Sequence, residues 1–261
     1  MGNFITGLIF QPPPATYTAQ QDNLLWLRTA SGKLVAGRYF AHEGARMTVL
    51  HSHGNAEDIG MTWPWIQHFG QQLQVNVMIY DYEGYGLSST GQPNEQACYE
   101  DVDAAYAYLT NTLNTPASNI ILFGRSLGTG PSCYLAHRLS KAGVDLGGLI
   151  LQSPLLSVYR VVLDVRFTFY GDRFPNIDYM KSVNCPVLII HGVSDEIIPF
   201  WNGESLFLAI PEEWRARPLW VFGAGHNDIE NVLQLGRASR NAYFIALRDF
   251  VSEWVSPRVG V

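Results

Sequence analysis

Short, almost wholly apolar runs recur along the chain and constrain its fold more than any other feature. The runs that predict strands cover residues 47–50, 75–80, 120–123, 148–152, 186–190 and 218–222. Strands that are buried on both faces are apolar along their whole length, and such strands occur where helices cover both faces of a parallel sheet. The sequence therefore predicts an α/β fold with a mostly parallel central sheet flanked by helices.

The segments between these runs have helical character. Helices are predicted over about residues 59–73, 94–113, 127–142 and 229–255, and in the second of them Cys98, Val102, Ala105 and Leu109 recur at helical spacing on one face. Ahead of the first apolar run, residues 24–28 and 34–40 alternate as strands around a Ser31-Gly32 turn, which predicts an entry hairpin.

The length of 261 residues and the absence of a linker or charge run favour a single domain. We place an N-terminal extension at residues 1–18 and the domain at residues 19–257. The segment at about 154–183 contains the aromatic residues Phe167, Phe169, Tyr170 and Phe174. Such residues belong to the core by default, and their functional interpretation is a short lid or a wall for an acyl chain.

Composition excludes several classes of function. The net charge is -6 and Lys and Arg form no cluster, so we expect no nucleic-acid partner. Cys98, Cys133 and Cys185 are scattered and outside any metal-ligand spacing, which is typical of reduced thiols in a non-secreted protein.

No run of about 18 apolar residues predicts a membrane-spanning helix, and the N-terminus lacks the basic region of a signal peptide. We expect a cytoplasmic monomer.

The first residues carry one targeting pattern. Gly2 and Thr6 fit M-G-x-x-x-[ST], the acceptor pattern for N-myristoylation. Acylation of Gly2 would allow peripheral contact with membranes.

The apolar run at 120–123 leads into Gly124-Arg125-Ser126-Leu127-Gly128, which is the G-x-S-x-G pattern of a nucleophile elbow. At this turn between a strand and a helix the two glycines let the backbone pass its neighbours closely, so that the serine stays exposed. A lone match arises by chance in about one chain in ten of this length. The interpretation therefore depends on partners elsewhere in the chain.

An acid and a histidine follow the elbow in the order that this fold requires. Asp195 comes just after the run at 186–190, and His226 lies in a glycine-rich loop after the run at 218–222. We predict that His226 takes the proton of Ser126 and that Asp195 orients the imidazole. Glu196 and Asp228 compete with Asp195 as the acid.

The predicted oxyanion hole consists of the backbone N–H groups of Leu127 and Asn55, because Asn55 follows the run at 47–50 in the loop His53-Gly54-Asn55. If only its N–H matters, Asn55 could lose its side chain without harm. His53 and His191, each followed by glycine, are predicted to stabilise loop ends, and Asp81 to brace its own loop.

The motifs occur in a recognisable order: H-G-N-A-E-D at 53–58, D-Y-E-G-Y-G-L-S at 81–88, G-R-S-L-G-T-G-P-S at 124–132, F-P-N-I at 174–177, P-V-L-I-I-H-G-V-S-D-E-I-I-P at 186–199 and G-A-G-H-N-D-I-E at 223–230. Together they resemble the α/β-hydrolase-domain proteins that remove palmitate from protein cysteines. The resemblance extends over about residues 10–255.

The resemblance implies an α/β-hydrolase fold, a triad of Ser126, Asp195 and His226, no cofactor and no metal, and hydrolysis of S-acyl thioesters through an acyl-serine intermediate. The substrate would be an acylated protein or a small acyl ester. Those depalmitoylases carry a cysteine-rich N-terminus, whereas no cysteine precedes Cys98 here.

Other functions stay open on the sequence alone. A general short-chain carboxylesterase or a serine peptidase would use the same residues. His51 and His53 with Asp58 and Asp81 could form a metal site, because two histidines on alternate strand residues share a face. The chain could also be a non-catalytic interaction protein built on a hydrolase fold.

Overall fold

The computed structural model describes residues 9–20, 24–162, 171–235 and 242–258. In this part of the chain the sheet has eight strands, which lie side by side in the order β1 Leu24–Arg28, β2 Leu34–Phe40, β4 Asn76–Tyr80, β3 Thr48–Ser52, β5 Ile120–Arg125, β6 Gly148–Gln152, β7 Val187–Gly192 and β8 Leu219–Val221. β1 with β2 and β2 with β4 pair antiparallel, and the other described pairs are parallel. The predicted α/β-hydrolase fold is confirmed.

The strands lie close to the apolar runs from which they were predicted. The predicted entry hairpin is present, because β1 and β2 pair from Leu24↔Arg38 to Arg28↔Leu34. Its turn places Gly32 at φ +82°, which glycine adopts without the steric cost of a side chain.

Eight α-helices are present in the described part of the chain. They are α1 Ile59–Leu73, α2 Glu95–Ala107, α3 Thr129–Lys141, α4 Val158–Val162, α5 Asn176–Tyr179, α6 Trp201–Ala209, α7 Ile229–Leu235 and α8 Ala242–Phe250. The helix predicted over 229–255 includes α7 and α8, and residues 236–241 between them lie outside the described residues. The pattern missed α4, α5 and α6; α5 and α6 have four and nine residues, which is too few to show clear periodicity.

Side-chain caps define where the first two helices begin. Asp58 accepts a hydrogen bond from the Met61 N–H at 2.9 Å, and Asn94 accepts one from the Ala97 N–H at 3.1 Å. Each cap satisfies a backbone donor that has no acceptor within its helix. The predicted apolar face of α2 is buried, with Cys98, Val102, Ala105 and Leu109 all inaccessible.

The core lies on both faces of the sheet because neighbouring strand residues point to opposite sides. Leu50 and Leu122 pack with buried residues of α2 and α3, such as Val102 and Leu135. Val49 and Ile121, which precede them in the chain, pack on the other face with Ile66 of α1 and Leu247 of α8. Packing on both faces of the sheet fixes the carboxyl ends of the parallel strands.

The described parts of the N-terminal extension and of the predicted lid pack together. Phe10 is buried, and its ring centroid lies 6.3 Å from that of Phe174, which is inaccessible to solvent and contacts Gly130 of α3. Phe174 thus belongs to the core. Phe167, Phe169 and Tyr170 lie outside the described residues.

Within the described residues, every helix is too short or too polar to span a lipid bilayer.

Candidate active site

Ser126 lies at a strained turn between β5 and α3. Its φ is +51°, a left-handed conformation that is uncommon for a residue with a side chain. A Cβ on Gly124 would lie 2.6 Å from the Gly128 carbonyl oxygen, and one on Gly128 would lie 2.0 Å from the Ser52 carbonyl oxygen. The backbone here leaves no room for a side chain at either glycine, as the elbow pattern requires.

Ser126, His226 and Asp195 form one chain of hydrogen bonds. The His226 Nε2 atom lies 3.0 Å from the Ser126 Oγ atom, and the His226 Nδ1 atom lies 2.8 Å from the Asp195 Oδ2 atom. An ionised carboxylate only accepts, so Nδ1 carries the proton and Nε2 is free to accept one from the serine. The structure therefore brings the three predicted side chains together, and their catalytic roles stay a prediction.

Asp195 is almost fully buried and is surrounded by donors. Burial alone would raise the pKa of its carboxyl group, but hydrogen bonds from His191, His226 and the Ile198 N–H hold that pKa well below its ordinary value. Its Oδ1 atom accepts from the backbone N–H groups of Ile197 at 2.9 Å and Ile198 at 2.8 Å. The carboxylate is therefore ionised and fixed in orientation.

The competing acids contact the backbone of the histidine loop instead of the imidazole. Glu196 Oε2 lies 3.3 Å from the His226 backbone nitrogen, and Asp228 Oδ1 accepts from the Gly225 N–H at 2.6 Å. The geometry selects Asp195 from the three candidates.

His191 is a residue whose contact with the site sequence reasoning missed. It was predicted to stabilise a loop end, and its Nε2 atom does lie 3.0 Å from the Ile198 carbonyl oxygen. The same nitrogen lies 3.2 Å from Asp195 Oδ2, inside the protein. Its position four residues before Asp195 was the available signal, but only the turn after β7 brings the two side chains together.

One predicted oxyanion donor follows Ser126 directly, and the other lies in the loop after β3, which approaches the elbow at Gly128. Leu127 is in the 3-10 turn Ser126–Gly128 that precedes α3, and Asn55 follows β3. Among the described residues, the Asn55 N–H has no hydrogen-bond acceptor. Asn55 Oδ1 accepts from the Gln11 N–H at 2.9 Å and from the Tyr85 hydroxyl at 2.7 Å. The side chain orders this loop, so its loss is not expected to be harmless.

A buried polar cluster around Asp81 contacts both ends of the same loop, at His53 and at Ile59. Asp81 accepts from the Tyr17 hydroxyl at 2.5 Å and from the Ile59 N–H at 2.9 Å, so it braces its surroundings as predicted. His53 Nε2 lies 3.4 Å from Asp81 Oδ1. Burial lowers the pKa of His53, but the interaction with Asp81 outweighs this and raises it overall.

The two histidines of the metal hypothesis have different surroundings. The His51 ring stacks on Phe123 with centroids 5.1 Å apart, and burial, helped by His53 and Arg125, lowers its pKa to about 3. His53 packs on Tyr82 with centroids 4.4 Å apart. In the described part of the chain no three His, Cys, Asp or Glu side chains are grouped so that they could hold a metal ion.

Comparison with known proteins identifies the family. Residues 43–181, which include the elbow but precede Asp195 and His226, match the family model described as "Serine aminopeptidase, S33". The chain is 37% identical to the α/β-hydrolase domain-containing protein aho-3 of Caenorhabditis elegans over 274 aligned residues, covering 95% of this chain and 78% of that protein. It is 43% identical to α/β-hydrolase domain-containing protein 17C of Xenopus tropicalis over 210 residues, covering 80% of this chain and 63% of that protein.

Solved structures agree on the fold. The Pyrococcus furiosus esterase Pf2001 superposes with a TM-score of 0.73 at 15% identity, covering 94% of this chain and 97% of the esterase. The family model and the relatives show that the chain belongs to the α/β-hydrolase family, among the α/β-hydrolase domain-containing proteins, and is an enzyme of the hydrolase type.

Proposed function

We propose that the protein hydrolyses acyl thioesters and esters through an acyl-serine intermediate, and that its substrate is a palmitoylated protein. The observation that carries the reaction type is the hydrogen-bonded chain from Ser126 through His226 to Asp195. The resemblance of the motif set to the depalmitoylases supports the substrate class, and the relatives at 37–43% identity support the hydrolase family.

The acylation step follows from the geometry. His226 Nε2 takes the hydroxyl proton as Ser126 Oγ attacks the carbonyl carbon, and the carbonyl oxygen becomes an oxyanion bound by the N–H groups of Leu127 and Asn55. The C–S bond then breaks, and the imidazolium returns its proton to the leaving thiolate. Asp195 stabilises the imidazolium throughout while it stays ionised.

Deacylation repeats the same sequence with water as the nucleophile. His226 removes a proton from the water, which attacks the acyl-serine carbonyl, and then protonates Ser126 Oγ as the fatty acid leaves. No cofactor or metal is needed for either half of the reaction.

A serine peptidase is the second candidate, because the family model that matches residues 43–181 is described as a serine aminopeptidase. The same triad could cleave an amide, so the leaving group that the enzyme accepts decides between them. A short-chain carboxylesterase would differ only in its preference for the acyl chain.

We propose further that the protein acts as a cytoplasmic monomer and reaches acylated proteins by peripheral contact with membranes through its N-terminus. The acceptor pattern at Gly2 and Thr6 supports this placement. Both residues lie outside the described part of the structure.

The test is a matched panel of short and long acyl chains on oxyester, thioester and peptide leaving groups, with Ser126→Ala as the blank. We expect long-chain thioesters to be cleaved fastest and Ser126→Ala to lose several orders of magnitude in activity. Faster cleavage of short oxyesters would establish a carboxylesterase, and preference for peptides would establish a peptidase. Equal turnover by purified Ser126→Ala protein would refute the mechanism.

A further inference from the structure

The Arg125 side chain joins loops that are distant in sequence. Its Nη1 atom forms an ion pair with Glu57 Oε1, and its Nη2 atom donates to Asn227 Oδ1 at 2.7 Å. These contacts cross 68 and 102 residues of chain. Arg125 directly precedes Ser126, and Asn227 directly follows His226.

Glu57 also bonds the backbone of the loop that contains Asn55. Its Oε2 atom accepts from the Gly54 N–H at 2.9 Å, and Gly54 precedes Asn55. The approach is close, since a Cβ on Gly54 would lie 3.1 Å from Arg125 Nη1. One guanidinium thus connects the loops that carry the nucleophile, the base and one oxyanion donor.

The Arg125 side chain reaches a cavity that the three reacting side chains do not line. Arg125 lines a cavity of about 330 Å³ together with Trp65 and Glu230, and Ser126, Asp195 and His226 do not line that cavity. Arg125 is therefore placed to act through its neighbours in the chain and not by touching the reacting atoms.

We propose that Arg125, Glu57 and Asn227, which we call the Arg125 clamp, are positioning residues for the proposed hydrolase reaction, on which this inference rests. The clamp fixes the positions of the Ser126 elbow, the His226 loop and the Asn55 loop relative to one another. A displacement of about 1 Å at a reacting group can cost roughly 100-fold in rate.

The side chains of Arg125 and Glu57 are 21% and 22% exposed, so each keeps some contact with water when its partner is removed. Removing one partner therefore costs less stability than it would for a fully buried ion pair. Loss of the clamp should therefore lower turnover far more than stability, which separates a positioning role from a structural one.

The experiment compares Arg125→Met, Arg125→Lys, Glu57→Gln, Asn227→Ala and the double variant Arg125→Met/Glu57→Gln. The control is Arg138→Met, which removes a more exposed ion pair at 2.8 Å between Arg138 of α3 and Asp103 of α2. For each protein, kcat and KM are measured with p-nitrophenyl octanoate, together with the rate of labelling by a fluorophosphonate and the melting temperature.

We expect Arg125→Met to lose about 10- to 100-fold in kcat and in labelling rate, with KM changed less than about threefold. Arg125→Lys should recover part of the loss, because a lysine can pair with Glu57 but cannot bond both partners in the fixed geometry of a guanidinium. The double variant should be no slower than Arg125→Met, since both changes break the same contact.

Wild-type turnover in Arg125→Met would overturn the inference, as would an increase in KM alone, which would mean direct contact with substrate. An equal loss in Arg138→Met would also overturn it. If Arg125→Met does not fold, Asn227→Ala and Glu57→Gln decide, because the first removes the Asn227 arm of the clamp and the second removes the ion pair, and normal kcat in both refutes it. Wild-type protein that the fluorophosphonate does not label would refute the proposed function, and the inference with it.

Discussion

Replacing Asp195 with asparagine tests how the site selects the tautomer of His226. The Asp195 Oδ1 atom accepts from two backbone N–H groups at 2.8–2.9 Å, whereas its Oδ2 atom faces His226 Nδ1. An asparagine would keep its oxygen on the two backbone donors, since its amide nitrogen cannot accept from them. The amide nitrogen would then face the imidazole.

That orientation reverses the roles of the two imidazole nitrogens. Nδ1 must accept from the new amide, so the proton moves to Nε2, which then points a donor at Ser126 and cannot act as the base. The same change in a serine protease lowers kcat by about 10⁴-fold, which corresponds to about 5.4 kcal/mol of barrier at 1.36 kcal/mol for each factor of ten. We expect a loss of about 10³- to 10⁴-fold in Asp195→Asn.

Glu196→Gln is the matched control, because Glu196 contacts only the backbone nitrogen of His226 in this loop and a glutamine oxygen can replace it. The assay measures kcat/KM on one ester for both variants and for the wild-type protein at pH 7, with circular dichroism and thermal unfolding to show that each variant is folded. Activity of Asp195→Asn within tenfold of wild type would refute the tautomer argument. A larger loss in Glu196→Gln would show that the wrong acid was selected.

Three further predictions concern the loops and the core. Asn55→Ala should lower kcat about tenfold and reduce stability by roughly 2 kcal/mol, because two hydrogen bonds worth about 1 kcal/mol each are lost; unchanged kinetics and melting temperature would contradict this. Gly128→Ala should destabilise the protein by about 3 kcal/mol or more and abolish fluorophosphonate labelling, because its Cβ would overlap the Ser52 carbonyl oxygen; a stable, labelled variant would show that the elbow can relax. Burial and nearby carboxylates raise the pKa of Asp101, so the wild-type protein loses stability as pH rises above the unfolded pKa of about 4. Asp101→Asn removes this titration and should therefore raise the melting temperature, by an amount that increases from pH 4 to pH 8. A difference in melting temperature that does not vary with pH would contradict this.

The sequence predicted the local elements well where periodicity was long enough to read. Apolar runs buried on both faces predicted the parallel strands, and the face of α2 followed from residues three or four apart. The prediction missed α4, α5 and α6. The last two have four and nine residues, which is too few for a repeated pattern to be visible.

The site could be predicted in part for a different reason. Ser126, Asp195 and His226 each follow an apolar run, and strands that run parallel bring their carboxyl ends to one edge of the sheet. Chain order therefore indicated which residues meet, although it left Glu196 and Asp228 as alternatives to Asp195. The choice among the three depends on a turn of a few residues, whose conformation no periodicity reports.

The layered fold, the elbow and the order of the serine, the acid and the histidine could be predicted from the sequence alone, because they follow from short-range patterns of apolar residues and glycine. Only the tertiary structure decided which acid contacts His226, that Asn55 is held through its side chain, and that Arg125 connects Glu57 to Asn227. Such contacts join residues tens of positions apart, and a shift of a few tenths of an ångström in the distance between two atoms can make or break a hydrogen bond. Those distances are set when helices and strands pack on one another, which is a property of the whole chain and of no single segment.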